Sequence, residues 1–308
     1  MKNSKILLTG SFGFLGSHLV PLLNGHNLIL PRSSDYDLRE QIQVRKLLWH
    51  TTPDVVIHLA AHVGGIGLNQ VAPAELFYDN AIMGIMLMHE SRKAGVKKFV
   101  QIGTICAYPK NTPTPFKEEE LWNGYPEDTN APYGLAKKML LVQAQAYRKQ
   151  YGFNAIYLLP VNLYGPGDNF KEDSSHVIPA LIKKFVLAKE ERKQSVTVWG
   201  TGNPTREFLY VEDAARAVVM AMEKHDKPEP INLGSGNEIS IRELAFLIQR
   251  RTGYKGKVLF DPSKPDGQPR RRLDVSRAKK LFGFEAKTDF DKGLTETIEW
   301  YKKSIGLL

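Results

Sequence analysis

Tyr133 and Lys137 stand four residues apart in "YGLAK", a spacing that puts both on one face of a helix. A phenol of ordinary pKa, about 10, is a poor acid–base group at neutral pH. A nearby ammonium stabilises the phenolate and lowers that value. Such a tyrosine can protonate a carbonyl oxygen as hydride arrives at the carbon. The pair alone says little, because both residues are common on helix surfaces. It gains weight from Thr104, which closes the apolar run "KFVQIGT" and offers a second hydroxyl to the same oxygen. Two residues further on, Cys106 is the only cysteine in 308 residues. A free cysteine is most often a small buried hydrophobe. At the end of a strand, beside a threonine and a tyrosine, it is also a candidate for proton transfer, and composition leaves the choice open.

A second constellation, "LLTGSFGFLGSHLV", places Gly10, Gly13 and Gly16 directly after a strand-like run and at the opening of a helix. Gly10 permits a tight turn, Gly13 a close approach of backbone to a pyrophosphate, and Gly16 close packing of helix on strand. Glycine triplets occur by chance; the strand-then-helix context makes this one a dinucleotide-binding loop. NAD and NADP are told apart at the end of the second strand, where an acid holds a ribose 2′-OH and a base a 2′-phosphate. There "LIL" runs into "PRSSDYDL", with Arg32 first, Ser33 and Ser34 beside it, and Asp35 later. This order favours NADP(H), with Asp37 and Leu38 against the adenine.

These residues need a frame to hold them. Short apolar runs at Lys5–Gly10, Leu28–Leu30, Asp54–Ala61, Lys98–Thr104 and Asn154–Gly165 alternate with helical patterns, notably Ala72–Ala94 and Tyr133–Gln150. Strands that are apolar almost throughout, alternating with helices, predict an α/β fold: a Rossmann-type, doubly wound parallel sheet covered on both faces. After Gly165 the strands shorten, at Val196–Trp199, Ile231–Ser235 and Lys257–Phe260, and a helix Ile241–Thr252 ends at Gly253. This pattern predicts a second, smaller α+β domain. The division reads as 1–165 for the dinucleotide domain, with 207–233 returning to it, and 166–206 plus 234–308 for the smaller one. Glu207–Met222 is expected to return to the large sheet as a strand and a helix.

Hydrophobic residues make up 42% of the chain, enough for a sizeable core. One cysteine excludes an intramolecular disulfide, and no run reaches the roughly 18 apolar residues of a membrane span. The expectation is a cytoplasmic protein with no membrane partner. The net charge of +9 is spread out, densest at Arg270–Arg272, with no nucleic-acid motif. Small polyphosphate ligands therefore rank above nucleic acid as partners. No metal site is expected.

Gly10-x-x-Gly13-x-x-Gly16, Thr104 and Tyr133-x-x-x-Lys137 together resemble the extended short-chain dehydrogenase/reductases of nucleotide-sugar metabolism. Further stretches strengthen the resemblance: "AAHVGGI" (60–66), "CAYP" (106–109), "NLYGPGDNF" (162–170), "SHVIPALI" (175–182), "WGTGNPTREFLYVED" (199–213) and "KPDGQPRRRLDVSR" (264–277). Within that family it implies 3,5-epimerisation of GDP-4-keto-6-deoxy-D-mannose followed by NADPH-dependent 4-reduction, giving GDP-L-fucose. C3 and C5 both flank the C4 ketone, so an enolate from either charges the one oxygen that Thr104 and Tyr133 would serve. By resemblance Cys106 and His176 are the acid–base pair on opposite faces of the sugar. Thiol and imidazole have ordinary pKa values of about 8.5 and 6.5, close enough to neutrality to exchange protons.

The resemblance also implies the remaining contacts. Ser11, Phe12, Phe14, Leu15, Leu59, Ala60, Ala61, Pro160, Asn162, Leu163 and His176 join the cofactor set. Lys184, Trp199, Arg206 and Arg271, with Lys183 and Asn162, face the GDP-sugar. A homodimer is implied too, with the helices Ala72–Ala94 and Tyr133–Gln150 pairing across a two-fold axis. Ile82, Ile85, Met86, Met88, Met139, Leu140 and Val142 exceed one core-facing stripe. Phe12 stands where some relatives carry a basic residue for the 2′-phosphate. Thr104 and Ile105 stand where near relatives carry serines, which admits a related sugar such as a GDP-6-deoxy-heptose. A C4 reductase or C4 epimerase on another nucleotide sugar is the alternative, and a non-catalytic cofactor-binding regulator the second.

Overall fold

A computed structural model describes residues 3–308; Met1 and Lys2 lie outside the described residues. The chain runs β1 (Lys5–Thr9), α1 (Phe14–Leu19), β2 (Asn27–Ile29), α2 (Gln41–Thr51), β3 (Val55–His58), α3 (Ile66–Val71), α4 (Pro73–Lys93), β4 (Lys98–Ile102), α5 (Ala131–Tyr151) and β5 (Ala155–Pro160). It continues through β6 (Asn162–Tyr164), α6 (Val177–Glu190), β7 (Ser195–Trp199), β8 (Thr205–Tyr210), α7 (Val211–Lys224) and β9 (Ile231–Leu233). The last elements are β10 (Glu238–Ser240), α8 (Ile241–Thr252), β11 (Lys257–Asp261), β12 (Arg270–Arg271), α9 (Ser276–Phe282) and α10 (Phe290–Ser304).

Six strands form one parallel sheet in the order β2-β1-β3-β4-β5-β9. Every residue of β3 and β4 is buried, as expected for strands covered on both faces. Helices α4 and α5 pack together on the sheet, and α1 packs with α7. The chain order reverses between β1 and β3, which opens a crevice at the carboxyl ends of the strands. The fold is thus of the α/β, Rossmann type.

The apolar run Asn154–Gly165 is not one strand. It breaks at Val161; β5 stays in the large sheet, while β6 pairs with β8 in the smaller one. Strand β8 does not return to the large sheet either. It is the hub of the smaller sheet, bonded to β6, β10 and β12, and only α7 and β9 go back. Buried Glu207 explains the change. Its carboxylate accepts backbone N–H groups of Gly236 at 2.7 Å and Leu273 at 2.6 Å, tying β8 to the loops after β9 and β12. Apolar periodicity cannot show that a buried carboxylate binds a strand to segments far along the chain.

Local signals set the helix ends. Helix α8 opens with a capping box between Ser240 and Glu243 and closes on Gly253 at φ +77°, as its sequence predicts. Pro132 sits in the first turn of α5, and Gly152 ends that helix at φ +66°. The tight α5–α4 contact uses Gly84, where a Cβ would overlap the Leu140 side chain.

Candidate active site

One cleft of about 1760 Å³ runs along the carboxyl edge of the large sheet and on toward the smaller one. The loop between β1 and α1 forms one wall. Gly10 adopts φ +72°, and a Cβ there would press on the Ala60 amide nitrogen at 2.7 Å. A Cβ on Gly16 would overlap the Gly10 carbonyl and the Ser11 backbone. Both positions therefore require glycine, one for conformation and the other for helix–strand approach. Phe12, Gly13, Phe14, Leu15, Arg32, Asp37, Leu38, Leu59, Ala60 and Ala61 line the same wall. Ser11 does not. It is buried and does not line the cleft, and its hydroxyl has no partner among the described residues. Asp37 faces its neighbour Arg39, with which it forms an ion pair at 2.8 Å.

The chain end of β4 supplies the next wall. Thr104 caps the short turn Ile105–Ala107 by accepting the Cys106 backbone N–H at 3.2 Å, which fixes the hydroxyl and the thiol side by side. Helix α5 can approach that turn only because residue 134 is glycine; a Cβ there would overlap the Cys106 carbonyl oxygen. Tyr133 and Lys137 sit on the approaching face, both buried and both on the cleft.

Burial governs their ionisation. Tyr133 is expected to be drawn down by Lys137, but it is pushed up. Burial dominates, negative charge at Cys106 adds to it, and a hydrogen bond with Thr104 only partly opposes it. Tyr133 is thus a neutral phenol at neutral pH, the form that donates a proton. Burial also brings the Lys137 ammonium down to about 8, which leaves it mostly charged at pH 7. Beneath them His58 bonds Thr9 Oγ1 through Nδ1 at 2.8 Å. Burial, helped by the charge of Lys137, holds His58 down at about 3, so the floor stays uncharged.

His176 is the residue before α6 and lines the same cleft. Its ring is open to the cleft yet closely surrounded by protein. That desolvation and the positive charge of Arg271 lower its pKa, so the imidazole is neutral at pH 7. Arg271 is buried. Its Nη1 lies 3.8 Å from Cys106 Sγ, and its Nε donates to Gln268 Oε1 at 2.9 Å. Arg206 is its register partner across β8 and β12, and donates to the Thr205 and Asp266 carbonyls at 2.8 and 2.9 Å. Burial and the like charge of Arg271 push Arg206 down to about 9. Among the described residues, neither guanidinium forms an ion pair with a carboxylate. Two adjacent buried cations without a counter-ion suit an anionic ligand.

Trp199 and Lys184 stand at the far end, with the Lys184 ammonium 5.6 Å from the indole centroid. Lys183 is directed elsewhere and pairs with Glu172 at 3.9 Å. Pro160, Asn162 and Leu163 border the middle of the cleft. Asn162 also donates to the Glu207 carbonyl at 3.0 Å, which ties the β5–β6 corner to β8. Sequence reasoning missed Thr9, His62, Asn130, Gln268 and Asp266. Asp266 and Gln268 lie within "KPDGQPRRR" and His62 within "AAHVGGI"; the Asp266 carboxylate accepts from Thr201 N–H and Oγ1, both at 2.8 Å.

A parallel sheet with a glycine turn at its switch point and a Thr/Tyr/Lys cluster one strand away defines a class. The chain belongs to the NAD dependent epimerase/dehydratase family, whose model matches residues 6–234. It is 40% identical to GDP-L-fucose synthase 1 of Arabidopsis thaliana, over 99% of this chain and 95% of that one. Among solved structures, it superposes on a GDP-6-OMe-4-keto-L-xylo-heptose reductase from C. jejuni with a TM-score of 0.94. That match has 32% identity and covers 99% of both chains. A GDP-L-fucose synthetase from Naegleria fowleri bound to NADP superposes with a TM-score of 0.90, at 29% identity over 99% of this chain and 96% of that chain.

Proposed function

We propose that the protein converts GDP-4-keto-6-deoxy-D-mannose to GDP-L-fucose by 3,5-epimerisation and NADPH-dependent 4-reduction. The observation that carries this reading is the meeting of Thr104, Cys106, Tyr133, Lys137 and His176 on one cleft, with an unpaired arginine pair beside them. A plain reductase has no use for a thiol and an imidazole facing its ketone site.

The glycine turn fits a dinucleotide: Gly10 permits the tight turn and Gly16 lets α1 close on it, so backbone N–H groups at the helix start can meet a pyrophosphate. Gly10, Phe12, Gly13, Phe14, Leu15, Gly16, Arg32, Leu59, Ala60 and Ala61 would hold NADP(H), which when bound supplies the hydride. Thr104 and neutral Tyr133 donate hydrogen bonds to the C4 oxygen and stabilise the enolate of each epimerisation. Cys106 and His176 remove and return the C3 and C5 protons from opposite sides. In the reduction Tyr133 gives its proton to the same oxygen, and charged Lys137 steadies the phenolate left behind. Arg206 meets the diphosphate, and Trp199 with Lys184 the guanosine end.

The alternative reading is a C4 reductase on a GDP-heptose. It is favoured by the superposition on the C. jejuni heptose reductase and by apolar Ile105 in the pocket wall. Incubation with GDP-4-keto-6-deoxymannose and NADPH, followed by NMR of the product, separates the two. An L-galacto product supports the leading reading; reduction without inversion at C3 and C5 supports the alternative, and no NADPH oxidation refutes the leading reading.

The dimer belongs to the same reading. Met88 and Leu140 are spent within the monomer, but Phe77, Tyr78, Met139 and Val142 remain exposed on α4 and α5. Sedimentation at micromolar concentration should give twice the chain mass.

A further inference from the structure

We propose that Phe12 is a specificity-determining residue for the cofactor: its ring is a platform that holds Arg32 ready to receive the 2′-phosphate of NADP(H). The proposal rests on the reading of NADP(H) as the cofactor. Phe12 sits inside the glycine turn and is 55% exposed, so it is not part of a core. What it does contact is the Arg32 guanidinium, whose carbon lies 3.8 Å from the ring centroid. A guanidinium stacked on an aromatic face gains a cation–π attraction and keeps its N–H donors free for an anion.

The neighbouring acids leave Arg32 uncommitted. Asp35 folds back on its own turn, accepting the Arg32 backbone N–H at 3.4 Å and the Ser34 hydroxyl at 3.1 Å. Asp37 is taken by Arg39, and Asp79 is shared between Arg39 at 3.4 Å and His62 at 3.0 Å. Among the described residues Arg32 has no carboxylate partner, yet it lines the cleft just past β2. Among the described residues Asp35 does not line the cleft and Asp37 is paired with Arg39, so neither is presented free to a ribose 2′-OH, the contact that would favour NAD(H). A free cation held in place, with the acids around it occupied, is the arrangement a phosphate requires. Phe12 therefore does not weaken NADP(H) recognition by displacing a basic residue. It orders the cation contributed by the next loop.

The test is calorimetric titration of the ligand-free protein with NADP+, NAD+ and 2′,5′-ADP. The variants are Phe12→Leu, Phe12→Tyr, Arg32→Ala and the Phe12→Leu/Arg32→Ala double. Phe12→Leu should reduce the NADP+ to NAD+ affinity ratio about two- to fivefold, the scale of an exposed cation–π contact, and weaken 2′,5′-ADP in parallel. Phe12→Tyr should keep the wild-type ratio. In the Arg32→Ala background, Phe12→Leu should change the ratio no further. A wild-type protein that binds NAD+ as tightly as NADP+ refutes the cofactor reading and the proposal with it. A clear NADP+ preference that survives Phe12→Leu, or falls equally with and without Arg32, overturns the platform alone.

Discussion

Replacing Lys137 by methionine should stabilise the protein at pH 7 while abolishing ketone reduction. Lys137 is 3% exposed, and no carboxylate pairs with it among the described residues. Burial lowers its pKa from 10.5 to about 8. At about 1.4 kcal/mol per pH unit, the folded protein carries a charging penalty of roughly 3 kcal/mol. Methionine matches the aliphatic stem and removes the charge, so most of that penalty should return as stability. For a chain of this length roughly 3 kcal/mol raises the melting temperature by about 5 °C. The sign with pH follows from the depressed value. The penalty is complete below about pH 8, where the ammonium is charged in both states, and fades as pH rises toward 10.5, where both are neutral. Urea unfolding of wild type and variant at pH 7, 8, 9 and 10 measures this directly. The gain should be largest at pH 7 and shrink steadily to pH 10. A variant less stable than wild type at pH 7, or a difference flat across this range, would refute the assignment of a desolvated, uncompensated ammonium. The expected pairing of higher stability with lost activity is that of a residue retained for chemistry.

Three other perturbations have defined outcomes. Cys106→Ser and His176→Asn should abolish deuterium uptake from D2O at C3 and C5, seen by NMR, while reduction of an already epimerised ketone survives; equal loss of both steps contradicts the division of labour. Gly134→Ala puts a methyl group against the Cys106 carbonyl oxygen. It should cost about 1–3 kcal/mol in urea unfolding and lower turnover more than it raises KM, because α5 and the thiol turn are forced apart. Glu207→Gln keeps one acceptor oxygen and sets an amide donor against either the Gly236 or the Leu273 N–H group. It should destabilise the fold by about 1–3 kcal/mol, with hydrogen exchange faster in β10 and β12 than in the large sheet.

Much of the cofactor half is legible in the sequence because its requirements are local. A glycine at positive φ, a glycine under a helix, an alternation of apolar runs and a Tyr-x-x-x-Lys spacing are each settled within a few residues. Arg32 is legible for the same reason, as the first charged side chain past a short strand. The identities of Thr104 and Cys106 are equally local, since one caps the turn that carries the other.

Relations between distant segments were decided by the tertiary structure alone. Cys106 and Arg271 are 165 residues apart, and only the pairing of β12 with β8 brings the guanidinium to the thiol. Nothing in "EFLYVED" shows that its buried glutamate fastens the strand to the smaller sheet. The titration of the site was likewise not legible. A tyrosine four residues before a lysine suggests a phenolate, but both side chains are buried, and desolvation is the largest influence on each. Spacing along a helix is a property of the chain. Burial, and with it the ionisation of each group, depends on what the rest of the fold packs around it.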